Sequence, residues 1–522
     1  MIRNLIKIFS LLILHSCNSY EISDEIPFPI YQKNSHLINF NYPSGNYQND
    51  SLLLSYNCNS QYNLKLIYKE DTILSKGTLT YCVKNLEPEL TNIPTTTNQY
   101  TYYRNYWIKP KNKLSSLHKI QLFIFDSAKI LDSSTFYYIT SSKTSSKTPI
   151  VNLQVKRKLL FDLDSGCYVP GNSFIKDKNE TSGNFYTFKK RKQNGYIEIL
   201  DYKNLYLAGN FDFRIHGYRT PLSPQKSLRF YLNDTNSVNK ILNVSHQVDK
   251  VILRSSYSGW GSEIFTDGLI SEICQNLHVD VMAYRPAITY LNGEYWGIHG
   301  LRERMDLKAI SNKYQIKKQK LIDADDKGFS KKKGYGDLNK LLILIKENPK
   351  ISYEYVKKRF KMKSLIDWFI IELFFQNTDW PCNNTFFWKK KKGKWSCVLI
   401  DMDACIGSPK SNMFKFVLKD RSPALGGILI NYMLKEKEFR KSFKLRAEYL
   451  VQHELSSENL TSHFLKFKKE FEPIIKEHYL RWDHKDGFKK YNEAIDRIEV
   501  FCQKRGSYFS ENMNAFYNKY RK

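Results

Sequence analysis

Acidic residues are scarce in this sequence, and several informative motifs are missing from it. Its 522 residues contain 52 Asp and Glu against 81 Lys and Arg, which gives a formal charge of +29. No cysteines are spaced as C-x-x-C, so a structural zinc site is not expected, although Cys58 and Cys82 flank neighbouring strand-like runs and are candidates for a disulfide. No internal repeat is found, so no repeat architecture is expected. Because the lysines are spread along the whole chain, we expect attraction to acidic proteins or anionic surface polymers and no nucleic-acid partner.

The apolar run near the N-terminus is too short for a membrane span. Arg3 and Lys7 precede the run at 8–14, whereas a span needs about 20 apolar residues. This pattern is typical of an export signal, and the motif LHSC that ends with Cys17 resembles a bacterial lipobox. We therefore predict a lipoprotein signal peptide over 1–17, lipidation at Cys17 and a location outside the cytoplasm, anchored to a membrane in the periplasm or at the cell surface. A plain secretory signal with a chance cysteine is the alternative.

The rest of the chain changes its pattern twice. Residues 18–140 contain short alternating apolar runs such as 51–56, separated by Asn, Pro, Gly and Ser, which is typical of a β-sandwich of the immunoglobulin or fibronectin III kind. Residues 141–149 form a polar, low-complexity linker. Residues 150–522 begin with strands and continue with helices up to a charged helical tail. The prediction is an α+β chain in which a β-sandwich precedes a two-lobed domain.

The stretch of greatest chemical interest is LFFQNTDWPCNNTFFWKKKKGKWSCVLIDMDACIG at 373–407. An apolar helix is predicted over 364–376, and Asp379 and Asn384 follow it in a loop that contains a proline. The loop is where side chains are able to converge on a ligand.

A β-hairpin is predicted directly after this loop. Residues 385–388 and 394–400 alternate around the basic turn KKKKG. The returning strand delivers Asp401 and Asp403 to the end where the loop began. We therefore expect Asn384 and Asp401 to lie close together.

This arrangement is the one that protein kinases use for phosphate transfer. A loop Asp acts as the base, an Asn five residues later binds a metal ion, and an Asp after a hairpin binds metal as well. Mg²⁺ prefers carboxylate and amide oxygens, and a hydroxyl nucleophile needs a carboxylate within hydrogen-bond reach. Ordinary turn chemistry is the competing interpretation, because Asp and Asn are common at the ends of strands.

Five ordered stretches over about residues 150–510 carry a resemblance to the CotH kinase family, the spore coat protein H group of atypical, secreted kinase-like proteins. They are LLFDLDSGCYVPGN, FRIHGYRTPLSPQKSLRFYL, VILRSSYSGWGSEIFTDGL, YRPAITYLNGEYWGIHGLRERMD and the 373–407 segment. The resemblance implies an atypical protein-kinase-like fold, Mg²⁺ and ATP as cofactors, and phosphate transfer to Ser or Thr hydroxyls of a secreted or surface protein.

The resemblance also assigns roles within the 373–407 segment. Asp379 resembles the catalytic base, Asn384 and Asp401 resemble the metal ligands, and Asp403 resembles a second acid of the metal site.

Two further residues are matched outside that segment. Lys226 in PQKSLRF would contact nucleotide phosphates, and Glu303 in LRERMD would hold it as an ion-pair partner. A surface lysine, and a solvated ion pair of Glu303 with a neighbouring arginine, are the alternatives. Arg254 ends an apolar strand close to Gly259 and Gly261, which suggests a loop that contacts phosphate.

The sequence also departs from the family pattern. Trp380 and Pro381 follow the first acid where many relatives have Arg-His, and Thr266 stands where Arg is frequent, although Asp267 is kept. Two other hypotheses therefore stay open. One is a non-catalytic surface lipoprotein that acts as a pseudokinase scaffold or adhesion module. The other is a glycosyltransferase, which would need parallel βαβ units before the Asp-x-Asp motif.

Overall fold

A computed structural model of the chain describes residues 28–86, 113–142, 146–172, 183–217, 221, 223–232, 238–325, 336–348, 350–381, 383–419, 425–482 and 486–518. The predicted signal peptide with Cys17 and the middle of the predicted linker lie outside the described residues. The predicted domain boundaries at 17, 140 and 149 stay predictions.

The described residues form a mixed α/β protein whose N-terminal region is rich in strands. The strands are β1 Phe28–Pro29, β2 Asn39–Phe40, β3 Gly45–Asn46, β4 Ser51–Asn57, β5 Asn63–Tyr68, β6 Asp71–Lys76, β7 Thr78–Lys84, β8 Ser116–Asp126, β9 Lys129–Thr140, β10 Ile150–Gln154, β11 Gln193–Leu200, β12 Leu205–Ile215, β13 Leu228–Tyr231, β14 Lys250–Arg254, β15 Tyr284–Leu291, β16 Glu294–Glu303, β17 Leu321–Asp325, β18 Phe386–Lys390 and β19 Ser396–Val398.

The helices are concentrated in the second half of the chain. They are α1 Arg157–Phe161, α2 Asn184–Thr187, α3 Val238–Leu242, α4 Thr266–Ile273, α5 Leu307–Lys313, α6 Gly336–Glu347, α7 Tyr353–Lys357, α8 Met362–Phe375, α9 Met413–Lys419, α10 Leu425–Met433, α11 Lys437–Gln452, α12 Ser457–Trp482 and α13 Gly487–Asn518. Short 3₁₀ turns lie at Lys318–Lys320 and Met402–Ala404. None of the helices in the described ranges combines the length and the apolar character that crossing a bilayer requires.

The structure divides into two compact units. The first consists of the described residues within Met1–Ile215, Ala287–Ile298 and Pro473–Asp483. The second consists of those within His216–Pro286, His299–Glu472 and His484–Lys522. All of the predicted kinase-site residues belong to the second unit.

The first unit is built around two antiparallel groups of strands in its N-terminal part. β4 pairs with β2 and β7, and β8 pairs with β5 and β9. The alternating inward side chains of both groups form one apolar cluster, because every second residue of a strand points to the same face. The cluster includes Leu52, Leu54, Tyr56, Leu64, Leu66, Ile120, Leu122, Ile124, Phe136 and Tyr138. Cys58 has a free thiol, so the predicted Cys58–Cys82 disulfide is wrong.

In the second unit, a short antiparallel sheet holds the start of the site. β14 pairs with β13 on one side and with β16 on the other. β11 and β12 of the first unit also pair antiparallel. Parallel pairs of named strands in the described residues are β3 with β9 and β10 with β15, and several other strands separate the two members of each pair in sequence, so they are not the consecutive βαβ units that the glycosyltransferase hypothesis needs.

Helix α8 is the buried support beneath the 373–407 segment. Nearly all of its side chains are buried, as expected of a helix that is apolar on every side. Its C-terminal carbonyls lack partners within the helix, and the guanidinium of Arg505 satisfies two of them, Leu373 O at 2.8 Å and Phe374 O at 2.7 Å. The same guanidinium donates to Pro409 O and Ser411 O. Arg505 therefore fixes the end of α8 against the chain that follows the hairpin.

Candidate functional site

The β18–β19 hairpin forms as the sequence predicts and brings Asn384 and Asp401 together. The strands pair from Phe386 with Val398 to Trp388 with Ser396. At the open end, the side-chain amide of Asn384 donates a 3.1 Å hydrogen bond to the backbone carbonyl of Asp401. Both residues have left-handed backbone angles, φ 60° and 59°, which Asn and Asp tolerate better than most residues. Their closeness is confirmed, while their roles as metal ligands stay predictions.

The loop after α8 is tied to the segment that follows β19. The backbone and the hydroxyl of Thr378 both donate to Ala404 O, at 3.3 and 3.1 Å. The Gln376 side chain accepts from Gly407 N at 3.0 Å and donates to Ser408 O at 2.7 Å. Asp379 follows directly in this loop, and its side chain is exposed. These bonds hold Asp379 beside the turn that carries Asp401 and Asp403.

The guanidinium of Arg254 lies at the centre of the acidic residues. Its Nη2 pairs with Asp401 Oδ1 and, at 3.1 Å, with Asp403 Oδ2, and its Nε lies 3.3 Å from Asp267 Oδ2. Asp403 also accepts from Ser258 N at 3.2 Å. The sequence suggested that the loop at Arg254 contacts phosphate. In the structure, the guanidinium of Arg254 contacts carboxylates.

A second buried arginine, on the strand that pairs with β14, completes the group. Arg302 on β16 pairs with Asp267 through Nη1, and its Nη2 donates to Ser271 Oγ at 2.9 Å. Asp267 accepts in turn from Met402 N at 3.0 Å. We call these five side chains, Arg254, Asp267, Arg302, Asp401 and Asp403, the arginine–aspartate cluster. Its formal charge is −1, from three carboxylates and two guanidinium groups.

Burial and neighbouring charges raise the pKa of one acid of the cluster and lower the pKa of another. Burial raises the pKa of Asp403 to about 6, despite the attraction of Arg254. Burial acts on Asp401 in the same sense and is the largest single effect, but the contacts with Arg254, Asp403 and Arg302 together outweigh it and hold the pKa of Asp401 below its usual value. Burial and the neighbouring charge of Arg254 lower the pKa of Arg302 to about 9. Asp401 therefore stays ionised more readily than Asp403, and 43% of its side chain is accessible.

Asp379 has a raised pKa for two reasons. Although the residue is exposed, the surrounding protein limits the hydration of its carboxyl group, and this is the larger cause. Repulsion from the Asp401 carboxylate raises its pKa further. A carboxylate with a raised pKa is a better proton acceptor at neutral pH than an ordinary Asp.

Lys226 and Glu303 are each held by other groups. The Lys226 ammonium is buried and donates to Pro221 O at 2.6 Å and Ser223 O at 2.9 Å. Glu303 is buried too, bonds His246 Nε2 at 2.7 Å and accepts from Ala283 N at 3.1 Å. The nucleotide-binding roles of both residues stay predictions.

The predicted metal ligands do not fit a divalent cation in the arrangement that the structure has. Within the described part of the chain, no group of three or more His, Cys, Asp or Glu side chains is placed to hold a metal ion. The reason is visible in the contacts, because Asp401 and Asp403 turn oxygens toward Arg254 and Asn384 turns its NH₂ toward a carbonyl. Carboxylate and amide oxygens suit Mg²⁺, but these side chains already contact Arg254 or a backbone carbonyl.

Comparison with known proteins places the chain in a family. It matches the family described as CotH kinase protein over residues 213–509, which is more than half of its length. The chain therefore belongs to the CotH kinase family, and the resemblance seen in the motifs is confirmed. No curated protein gives a significant match. The match includes the whole arginine–aspartate cluster, and the family name indicates a kinase-like function.

The sequence interpretation gave neither Arg302 nor Asp267 a role in the candidate site. Both side chains are buried, and their ion pair joins β16 to the first turn of α4. An arginine in the middle of the run GIHGLRERMD is the one available signal, since a buried charge requires a partner. The sequence offers no means of choosing Asp267 as that partner.

Proposed function

We propose that this CotH family protein is an exported kinase-like phosphotransferase. It would move the γ-phosphate of ATP to Ser or Thr hydroxyls of a secreted or surface protein. The observation that carries the proposal is the convergence of Asp379, Asn384, Asp401 and Asp403 at the open end of one hairpin. Family membership supports the same reaction class.

Asp379 is the proposed catalytic base. Its carboxylate accepts the proton of the acceptor hydroxyl while that oxygen forms a bond to the γ-phosphorus. The bond from the γ-phosphorus to the β-phosphate oxygen breaks, and ADP leaves with the electron pair. The exposure of Asp379 and its raised pKa support this role.

The other expected parts have weaker support. Lys226 would bind ATP phosphates only after leaving two carbonyl groups, and Glu303 would pair with it only after exchanging His246 for Lys226. ATP is proposed from family membership. Mg²⁺ is proposed on the same ground and on donor chemistry, and the steps above use the protein side chains alone.

The fold and the location complete the proposal. The two-lobed kinase-like arrangement is supported by antiparallel strands up to Glu303 and by helices after it in the second unit. A β-sandwich in the N-terminal region is supported by two groups of strands that share one apolar cluster. Export and lipidation at Cys17 are supported by the sequence motifs.

Mg-ATP titration and phosphate labelling test the proposal together. The purified protein should bind Mg-ATP in a calorimeter and label a surface protein with phosphate. D379N should keep ATP binding and lose about 10²- to 10⁴-fold of the transfer rate, because it removes the proton acceptor. If the wild type neither binds Mg-ATP nor transfers phosphate, the proposal is wrong.

A non-catalytic surface lipoprotein is the second candidate. The pairing of Arg254 with both Asp401 and Asp403 favours it, as does buried Trp380 in the place of a polar pair. This candidate requires that the biological role survive the loss of Asp379 and Asp401. Complementation of a deletion strain by the D379N/D401N variant distinguishes the two.

A further inference from the structure

The side chain of Arg254 lies where three carboxylates meet. One guanidinium joins the end of β14, the first turn of α4 and the turn after β19, through Asp267, Asp401 and Asp403. Only 14% of the Arg254 side chain is accessible. These are the contacts that a bound cation makes, made in this chain by one of its own residues.

We infer that Arg254 is a resident cation that takes the place of a divalent metal ion between Asp401 and Asp403. The inference deepens the proposed function and rests on it only for the biological meaning of the site. The wild-type protein then binds Mg²⁺ or Mn²⁺ only when the guanidinium leaves or is removed. Arg254 is a positioning residue that sets the metal requirement of the site.

The charge of the cluster supports this role. With both guanidinium groups present, a divalent cation would change the formal charge from −1 to +1 and would lie beside Arg254. Without Arg254, three carboxylates and Arg302 sum to −2, which matches one divalent cation. The carboxylates therefore accommodate either Arg254, which leaves a formal charge of −1, or a divalent cation, which gives 0, but both together give +1.

The surrounding packing keeps the partners of Arg254 in place. The ring of Tyr284 contacts Gly268 on α4 and Gly300 on β16, where an added Cβ would lie 2.5 Å from ring carbons. This close packing fixes Asp267 relative to the strand that carries Arg302. At the end of β14, Ser255 N donates to Ser227 Oγ at 3.0 Å. Because the backbone is fixed on both sides, rotation of the Arg254 side chain is the simplest way to empty the site.

Mn²⁺ titration of the full chain without nucleotide tests the inference. Free Mn²⁺ is followed by electron paramagnetic resonance for the wild type, R254M, R254K and the double variant R254M/D401N. R254M should bind one Mn²⁺ with a dissociation constant at least about tenfold lower than the wild type, a difference of about 1.4 kcal/mol. R254K keeps a positive charge and should bind more weakly than R254M. The double variant should lose the gain, which places the ion at Asp401.

Two results would overturn the inference. One is equal Mn²⁺ affinity of the wild type and a folded R254M, with folding checked by circular dichroism. The other needs no Arg254 variant: tight, one-to-one Mn²⁺ binding by the wild type that D401N abolishes would mean that the guanidinium does not exclude the metal.

The experiments distinguish a failure of the proposed function from a failure of the inference about Arg254. If R254M gains Mn²⁺ binding but no variant transfers phosphate, the inference stands and the phosphotransferase proposal is wrong. If the wild type transfers phosphate and binds Mn²⁺ as tightly as R254M, the inference is wrong and the phosphotransferase proposal stands.

Discussion

Each unit of the molecule contains a buried group of charges, and the two groups differ in how completely they are enclosed. In the first unit, Glu198 is 1% accessible and bonds Lys119, Tyr137 and Asn152. In the second unit, the arginine–aspartate cluster leaves 43% of Asp401 accessible. Glu198 is enclosed by neutral donors and one lysine, which suits a structural role. The arginine–aspartate cluster is open at Asp401, so a ligand is able to reach its charges. Access to solvent, more than burial of charge, therefore separates a candidate site from a structural network.

The largest expected effect comes from breaking the enclosed side of the cluster. D267N removes the carboxylate that pairs with Arg302, a guanidinium that is almost fully buried. An unpaired buried charge typically costs about 3–5 kcal/mol, so the free energy of unfolding should fall by this amount. Urea denaturation followed by tryptophan fluorescence measures the change.

D401N is the matched control for D267N, because Asp401 belongs to the same cluster and is partly accessible. It should cost clearly less than D267N. Equal losses in the two variants would contradict the view that enclosure decides the energetic cost in this cluster.

The hairpin, helix α8 and the meeting of Asn384 with Asp401 were predictable because they follow from local patterns. Strand alternation, a basic turn and an apolar helix are read within about twenty residues of sequence. The predicted helix 364–376 is observed as Met362–Phe375, and the predicted strands 385–388 and 394–400 appear as Phe386–Lys390 and Ser396–Val398.

The arginine–aspartate cluster was not predictable in the same way. Arg254 and Asp401 are 147 residues apart in sequence, so their pairing depends on tertiary packing. Glu198 was not predictable for a similar reason, because an acidic residue within the strand QNGYIEIL is expected to face solvent. Sequence patterns identify which residues are able to ionise, and only the fold decides which opposite charge each one meets.

Acidification extends the comparison to His299, a buried histidine of strand β16 in the second unit. Burial lowers the pKa of His299 from 6.5 to about 4. Between these values the unfolded chain binds a proton that the folded chain does not, so stability falls as the pH falls from 6.5 to 4 and is fully present above 6.5. His299 alone should contribute a loss of about 3 kcal/mol.

H299Q tests this contribution, because glutamine does not titrate in the range. The unfolding free energy of the wild type minus that of H299Q should be constant above pH 6.5 and should fall by about 3 kcal/mol between pH 6.5 and 4. Curves that stay parallel across the range would show that folding does not lower the pKa of His299.

Opening the enclosed network of the first unit should have a moderate effect. E198Q keeps the shape of the side chain but leaves the Lys119 ammonium without its carboxylate. Loss of a hydrogen bond to a charged group is worth about 1.5–3 kcal/mol, so urea unfolding should register a decrease of that size. The E198Q/K119M variant removes both charges and should recover part of it. No recovery would mean that the neutral partners Tyr137 and Asn152 carry the stabilisation.

The smallest effect is expected where both charges are exposed. Lys192 and Asp212 form a 2.9 Å ion pair in which 51% and 46% of the side chains are accessible. Water screens such a pair, and its side chains lose entropy when they are held together, so K192A should change stability by less than about 1 kcal/mol. Both Lys192–Asp212 and Lys119–Glu198 join a lysine to a carboxylate, so K192A tests the exposed counterpart of the buried pair. A loss in K192A as large as that in E198Q would contradict the proposed role of solvent access, and would return the arginine–aspartate cluster to the class of ordinary structural ion pairs.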